Sequence, residues 1–217
     1  EMVDAVRGAS DARSARRTIN QRVAGPPGAL LQDVFGDGDD VDAATTALEA
    51  AAIAASTVRT ELGKTTTIWT GPNVASLPVR PTRQVVLQLI ARARKSLTLV
   101  TFAGYDIDQL VEALERARKD HGVAVRIILE TSLDSGGKMT GDPAAAFGNL
   151  PKAVPVYRWP ASNRGSSGAS MHVKTVIRDS EDILVSSANL TGAALDRNME
   201  LGLLVEGGPI ASTVDRH

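Results

Sequence analysis

The spacing of apolar residues changes near residue 63 and divides the chain into two parts. Residues 1–62 are rich in alanine and charge, with helical spacing around 11–23 and 42–59. Gly25-Pro26-Pro27-Gly28 and the acidic, glycine-bearing stretch 37–42 interrupt these helices, so this part is expected to be a small helical extension. Residues 63–217 instead alternate strand-like and helix-like runs. TTTIW at 65–69 is β-prone, and after Pro81 the apolar residues Val86, Leu89, Ile90 and Ala93 recur at helical spacing. SLTLVTF at 96–102 reads as a strand. Asp106 has the chemistry of a helix N-cap with Gln109 three residues on, and Ile107, Leu110, Val111 and Leu114 form one stripe that closes at Arg116, Arg118 and Lys119 before Gly122. VAVRIIL at 123–129 is almost continuously apolar, as suits a strand covered on both faces of a largely parallel sheet. Residues 65–131 therefore predict consecutive βαβ units.

Two loops rich in Gly, Ser, Asn and Pro, at 132–151 and 160–170, flank a short strand VPVYRW. Long irregular loops in a compact domain are usually functional or disordered, and the second, with Asn163, Arg164 and Gly165, leads straight to His172. In MHVKTVIR the two-residue repeat of a strand puts His172, Lys174, Val176 and Arg178 on one side. The other side, Met171, Val173, Thr175 and Ile177, is apolar enough for core. Residues 179–182 have turn composition and ILVSSAN forms a second strand. The simplest hairpin sets Arg178 opposite Ile183, Lys174 opposite Ser187 and His172 opposite Asn189, with cross-strand Cβ separations of about 4.5–5.5 Å. Four polar groups then share one face.

That cluster has the chemistry for phosphate. Lysine supplies a point charge, serine and asparagine supply neutral donors, and histidine can attack or protonate near neutral pH. Glu200, at the start of a further strand-like run, is expected to accept the second N–H of His172 and fix its tautomer. The net charge of −1 gives no global attraction to polyanions, so a phosphate-binding surface has to be local. With no cysteine and three scattered histidines, a disulfide framework is excluded and a zinc set is not supported. No apolar run is long enough for a membrane helix, which points to a cytoplasmic protein without a membrane partner. Gly63-Lys64-Thr65 lacks the first glycine of a phosphate-binding loop, and Ser186 and Ser187 lack the strained turn of a serine hydrolase. Trp69 and Trp159 fit core or rim positions, where either could stack on a base.

His172-x-Lys174, then four residues and Asp179, then Ser186-Ser187-x-Asn189 and Asn198-x-Glu200, resembles the signature of the phospholipase D superfamily. Ser186 stands where many members have glycine. The resemblance implies an α/β fold, a mixed β-sheet flanked by helices over 63–217, preceded by the helical extension 1–62. It further implies a two-step phosphodiester displacement with no metal or other cofactor. On that template His172 attacks phosphorus, Lys174 and Asn189 hold the nonbridging oxygens, Ser187 assists and Glu200 orients the ring, while Asp179, Asn198 and Ser186 support the site. Arg80, Arg83 and Arg164 are candidate contacts to substrate phosphate. A second histidine is needed as acid, and neither His121 nor His217 has a companion lysine. A single motif therefore implies a homodimer that completes the site across a two-fold axis.

The order of the units and the helical leader also resemble phospholipase-D-like components of the DISARM antiphage systems. That resemblance implies nucleic acid as substrate, DNA or RNA, and other components of a phage-defence system as partners. A binding scaffold without turnover is the alternative, and a phospholipase is a weaker one, because no lipid-binding helix is evident.

Overall fold

The computed structural model describes residues 14, 17, 41–72, 79–131, 134–135, 142–148, 150, 154–165 and 169–217. The chain divides into two compact units, Glu1–Arg59 and Thr60–His217. The expected helix at 11–23 lies outside the described residues except for Ser14 and Arg17, which are helical. Helix α1 (Val41–Leu62) is the helix expected over 42–59.

The remaining elements run in the order β1 (Lys64–Thr70), β2 (Arg80–Pro81), α2 (Thr82–Arg92), β3 (Ser96–Thr101), β4 (Gly104–Tyr105), α3 (Asp108–His121), β5 (Ala124–Leu129) and β6 (Val156–Arg158). They continue with β7 (Thr175–Arg178), β8 (Asp182–Ser186), β9 (Leu190–Thr191), α4 (Gly192–Asp196), β10 (Glu200–Glu206) and α5 (Ile210–Arg216). Eight strands form one sheet in the order β2-β1-β10-β8-β7-β3-β5-β6. Within this sheet β3-β5-β6 and the short β1-β2 pair are parallel and β1-β10-β8-β7-β3 are joined antiparallel, while β4 and β9 form a separate parallel pair. The sheet is thus mixed, as the family resemblance implies. It is not the largely parallel sheet read from residues 123–129, because a hairpin and β10 are inserted between β1 and β3.

One face of the sheet carries the main core. Leu97, Leu99, Val125, Ile127, Leu129, Val176, Leu184, Leu204 and Ile68 pack there with the apolar sides of α2 and α3. The stripe read from α3 is buried as expected, and Gly122 closes that helix in the left-handed conformation. Its start differs from the expectation: Ile107 is the N-cap, and Asp106 sits one residue earlier with a positive φ of 57° and does not cap the helix. The opposite face is covered at one end by α5, whose Ala211 packs with Ile177, Ile183 and Val205. Beyond that cover Val173, Val185, Leu201 and Leu203 are exposed.

The β7-β8 hairpin is set one residue from the expected register. Arg178 pairs with Asp182, Ile177 with Ile183 and Thr175 with Val185. Charge pairing overrides the four-residue turn suggested by composition. Arg178 Nε donates to Asp182 Oδ2 at 2.8 Å, which draws Asp182 into the ladder. Asp179 and Ser180 then turn the chain with positive φ of 55° each, a conformation aspartate tolerates better than most residues.

Asp179 is turned inward, where its carboxylate accepts the backbone N–H groups of Arg94 (3.1 Å), Lys95 (2.7 Å) and Ser96 (2.9 Å) and Nη1 of Arg178 (2.8 Å). Burial alone would raise its pKa, but these donors outweigh burial and hold it below the ordinary aspartate value. A depressed pKa contributes stability that is present above the unfolded value and lost as pH falls through the folded one. Asp179→Ala is expected to cost about 3 kcal/mol in urea unfolding at pH 7, and less at about pH 3, below the ordinary aspartate value, where the unfolded wild-type chain binds a proton that the folded carboxylate resists. An equal loss at both pH values would contradict this account.

Candidate active site

The candidate site lies where β7 begins and β8 ends. His172 and Lys174 precede the first laddered residue of β7, so they lie on an extended approach to the strand rather than within it. Ser186 N–H still donates to the carbonyl of Lys174, at 3.2 Å, which keeps that approach beside the end of β8.

The His172 ring is exposed and the Lys174 side chain is buried. Lys174 Nζ lies 3.2 Å from His172 Nδ1 and donates to the His172 carbonyl at 2.9 Å. Burial lowers the Lys174 pKa, and the negative charge of Glu200 works in the opposite direction. Phe102, at the end of β3, holds the imidazole from another side, with ring centroids 5.4 Å apart and planes tilted by 58°. No sequence signal marks Phe102. It is the last residue of the strand-like run 96–102 and reads there as ordinary core.

Glu200 does not bond the histidine ring. Its Oε2 accepts the Ser187 hydroxyl, and its Oε1 accepts Asn198 Nδ2 at 3.2 Å. Ser187 Oγ also accepts the N–H of Leu201 at 3.1 Å, so β10 anchors the serine through two neighbouring residues. The constellation is therefore a relay: His172 to Lys174 by contact, Lys174 to Glu200 by charge, and Glu200 to Ser187 and Asn198 by hydrogen bonds. Asn189 lies just beyond, with a buried side-chain Oδ1 that has no partner. An amide oxygen so placed is costly unless something meets it.

Ser186 fits where glycine is common because its backbone needs no positive φ and its hydroxyl is used: Oγ accepts the N–H of Ala188 at 3.0 Å, fixing the turn toward Asn189. Its cross-strand partner is Gly202. A Cβ on Gly202 would lie 3.1 Å from the Val185 carbonyl and 3.2 Å from both Cβ and Oγ of Ser186.

The three candidate arginines are placed differently. Arg83 is held by Asp196 in a two-pronged pair, with Nε–Oδ1 and Nη2–Oδ2 both at 2.6 Å, and Arg80 donates to Gln88. The Arg164 side chain is 2 % exposed, and its donors are all engaged by protein: Nη2 with Glu130 and the Trp159 carbonyl, Nη1 with the carbonyls of Asp134 and Ala169, and Nε again with Trp159. All five guanidinium N–H groups are accounted for. Arg164 therefore has none left for a substrate. Among the described residues, no group of three or more His, Cys, Asp or Glu could hold a metal ion, and no helix is long and apolar enough to cross a membrane.

Residues 86–217, more than half the chain, match the family described as "Cardiolipin synthase, PLD-like domain". The chain is 31% identical over 144 residues to the DISARM protein DrmC of Bacillus paralicheniformis, covering 65% of this chain and 56% of that relative. It thus spans little more than half the length of DrmC. The fold is similar to a phospholipase D family member, Nuc, from Salmonella typhimurium (TM-score 0.53, 23% identity, 71% of this chain and 90% of that one). It is also similar to NucT from Helicobacter pylori (TM-score 0.52, 18% identity, 70% and 92%). These two likenesses show the fold.

The Ser186–Gly202 pairing is directly testable. Gly202→Ala is expected to lower stability by about 1 kcal/mol through crowding of β8, and Ser186→Gly is expected to relieve part of that loss. Additive losses in the double variant, read by thermal unfolding, would show that the two positions do not share their space.

Proposed function

The chain belongs to the phospholipase-D-like domain family, and from that premise we propose that it is a phosphodiesterase that cleaves nucleic acid through a phosphohistidine intermediate. The observation that carries the reading is the contact of a buried lysine with an exposed histidine, 3.2 Å apart. His172 Nε2 attacks phosphorus as the bond to the leaving oxygen breaks, and an acid from the second half of the site protonates that oxygen. Water then attacks phosphorus, giving its proton to that same group, and the P–N bond breaks to restore the free ring. For Nε2 to attack, Nδ1 must carry the ring proton. An arriving phosphate, competing for the Lys174 ammonium, draws Nζ away from Nδ1 and favours that tautomer. Ser187 and Asn189 serve as neutral groups beside the phosphate, and Glu200 holds Ser187 and balances the charge of Lys174.

The second half of the site is supplied by a second copy of the chain. One motif gives one reactive histidine, and Val173, Val185, Leu201 and Leu203, at the same end of the sheet as the site, form an exposed apolar strip on the face that α5 leaves uncovered. An apolar strip of this kind is a natural contact surface. The similarity to DrmC supports a place in antiphage defence, with other components of such a system as partners. A second reading, binding of a nucleic-acid backbone without turnover, draws support from Glu200, which engages Ser187 rather than the ring.

The test is a panel of labelled single- and double-stranded DNA and RNA, with phosphatidylcholine vesicles in parallel, each with and without EDTA. Cleavage of nucleic acid is expected to persist in EDTA and to fall by at least about 1,000-fold in His172→Ala, with binding retained. Tight binding without cleavage by the wild type would favour the scaffold, and lipid cleavage alone would overturn the nuclease assignment. Sedimentation of the active species is expected to give a dimer. A fully active monomer would remove the second copy from the mechanism.

A further inference from the structure

His172 lies outside the β7 ladder, so something other than the sheet must fix its place. The residues just before it supply the answer. Glu130, 1 % exposed and next after β5, accepts the Met171 N–H on Oε2 at 2.8 Å. Its Oε1 accepts the N–H of Thr131 at 3.0 Å and Nη2 of Arg164 at 2.7 Å. Arg164 in turn donates to the carbonyl of Ala169 at 2.8 Å, and its guanidinium lies over the Trp159 ring, 5.1 Å from the centroid. The backbone is thus gripped at Ala169 by the cation and at Met171 by the anion, one residue short of His172. The Met171 side chain is buried below that grip.

We propose that Glu130 and Arg164 form a positioning clasp that sets the His172 backbone, and so the direction of its ring, from beneath the site. A buried ion pair contributes less to stability than its attraction suggests, because both charges lose their water. What this pair does supply is direction: its spare acceptor and donor reach the two backbone groups that lead into the reacting residue, and reach no group of the main apolar core. Phe102 confines the ring from the side, while the clasp confines the chain that carries it. The role rests on His172 being the reacting group, and a displacement of about 1 Å at such a group can cost on the order of 100-fold in rate.

The test compares Glu130→Gln and Arg164→Lys with Asp215→Asn in the full chain. Asp215 is a second, part-buried carboxylate, bound to the partly exposed Arg126 and to Thr98 and Ser180 at the other end of β7, and controls for loss of a carboxylate–arginine pair as such. Imidazole resonances are read by long-range 1H–15N NMR, with the His172 signal identified by its loss in His172→Ala. Single-turnover cleavage and affinity for a labelled oligonucleotide are measured alongside. Both clasp variants are expected to shift the His172 ring signals and to lower the single-turnover rate about 10- to 100-fold, with affinity changed by no more than about twofold. Asp215→Asn is expected to lower the melting temperature and leave the ring signals in place.

Unmoved ring signals in folded Glu130→Gln or Arg164→Lys, or equal movement in Asp215→Asn, would overturn the clasp. Arg164→Lys keeps the charge and serves if Glu130→Gln does not fold. If the wild type cleaves nothing, the nuclease reading fails while the ring spectra still judge the clasp.

Discussion

One carboxylate governs the geometry of the centre of the sheet. Asp179 gathers three consecutive backbone N–H groups at the entry to β3, while its own N–H donates to the Ser96 carbonyl at 2.9 Å. The turn of the hairpin and the start of a central strand are thereby locked together. Arg178 completes the arrangement by bonding both Asp179 and Asp182, and that choice of partners sets which residue of β8 faces which residue of β7. The position of every group further along the hairpin, including the approach that bears His172, follows from it. A carboxylate without these donors would have to leave the interior, since a buried charge survives only when its oxygens are met.

The periodic features were legible in the sequence because each is written locally. Helices α2 and α3 and strands β3 and β5 follow from apolar spacing alone, and the recurrence of His172, Lys174, Ser187, Asn189, Asn198 and Glu200 at family spacings was enough to point to the fold. What escaped depends on partners distant in the chain. The hairpin register turned on Arg178 reaching Asp182, a preference that turn composition does not express. Asp106 has the composition of a cap, yet its positive φ places it ahead of the helix. Arg164 reads as a free cation in a polar loop. Its partners Glu130 and Asp134 come from another segment, and only the folded chain shows that its charge is spent.

The site joins two kinds of side chain with opposite demands. His172 is exposed, whereas Lys174 is buried; burial disfavours the lysine charge, and Glu200 offsets part of that cost. Glu200 is itself satisfied by a hydroxyl and an amide, both neutral, so the relay ends without a further ion pair. Two further arginines near the sheet, Arg83 with Asp196 and Arg126 with Asp215, are paired with carboxylates.

Within the eight residues from His172 to Asp179 the backbone passes from an unladdered approach to a fully paired and charge-locked turn. Local opening free energy should rise steeply along that short distance, since unpaired segments open without breaking the sheet. The candidate site and the structural lock therefore occupy opposite ends of one segment. Substitutions at the histidine end are expected to leave the fold intact, whereas substitutions at the aspartate end are expected to loosen the sheet.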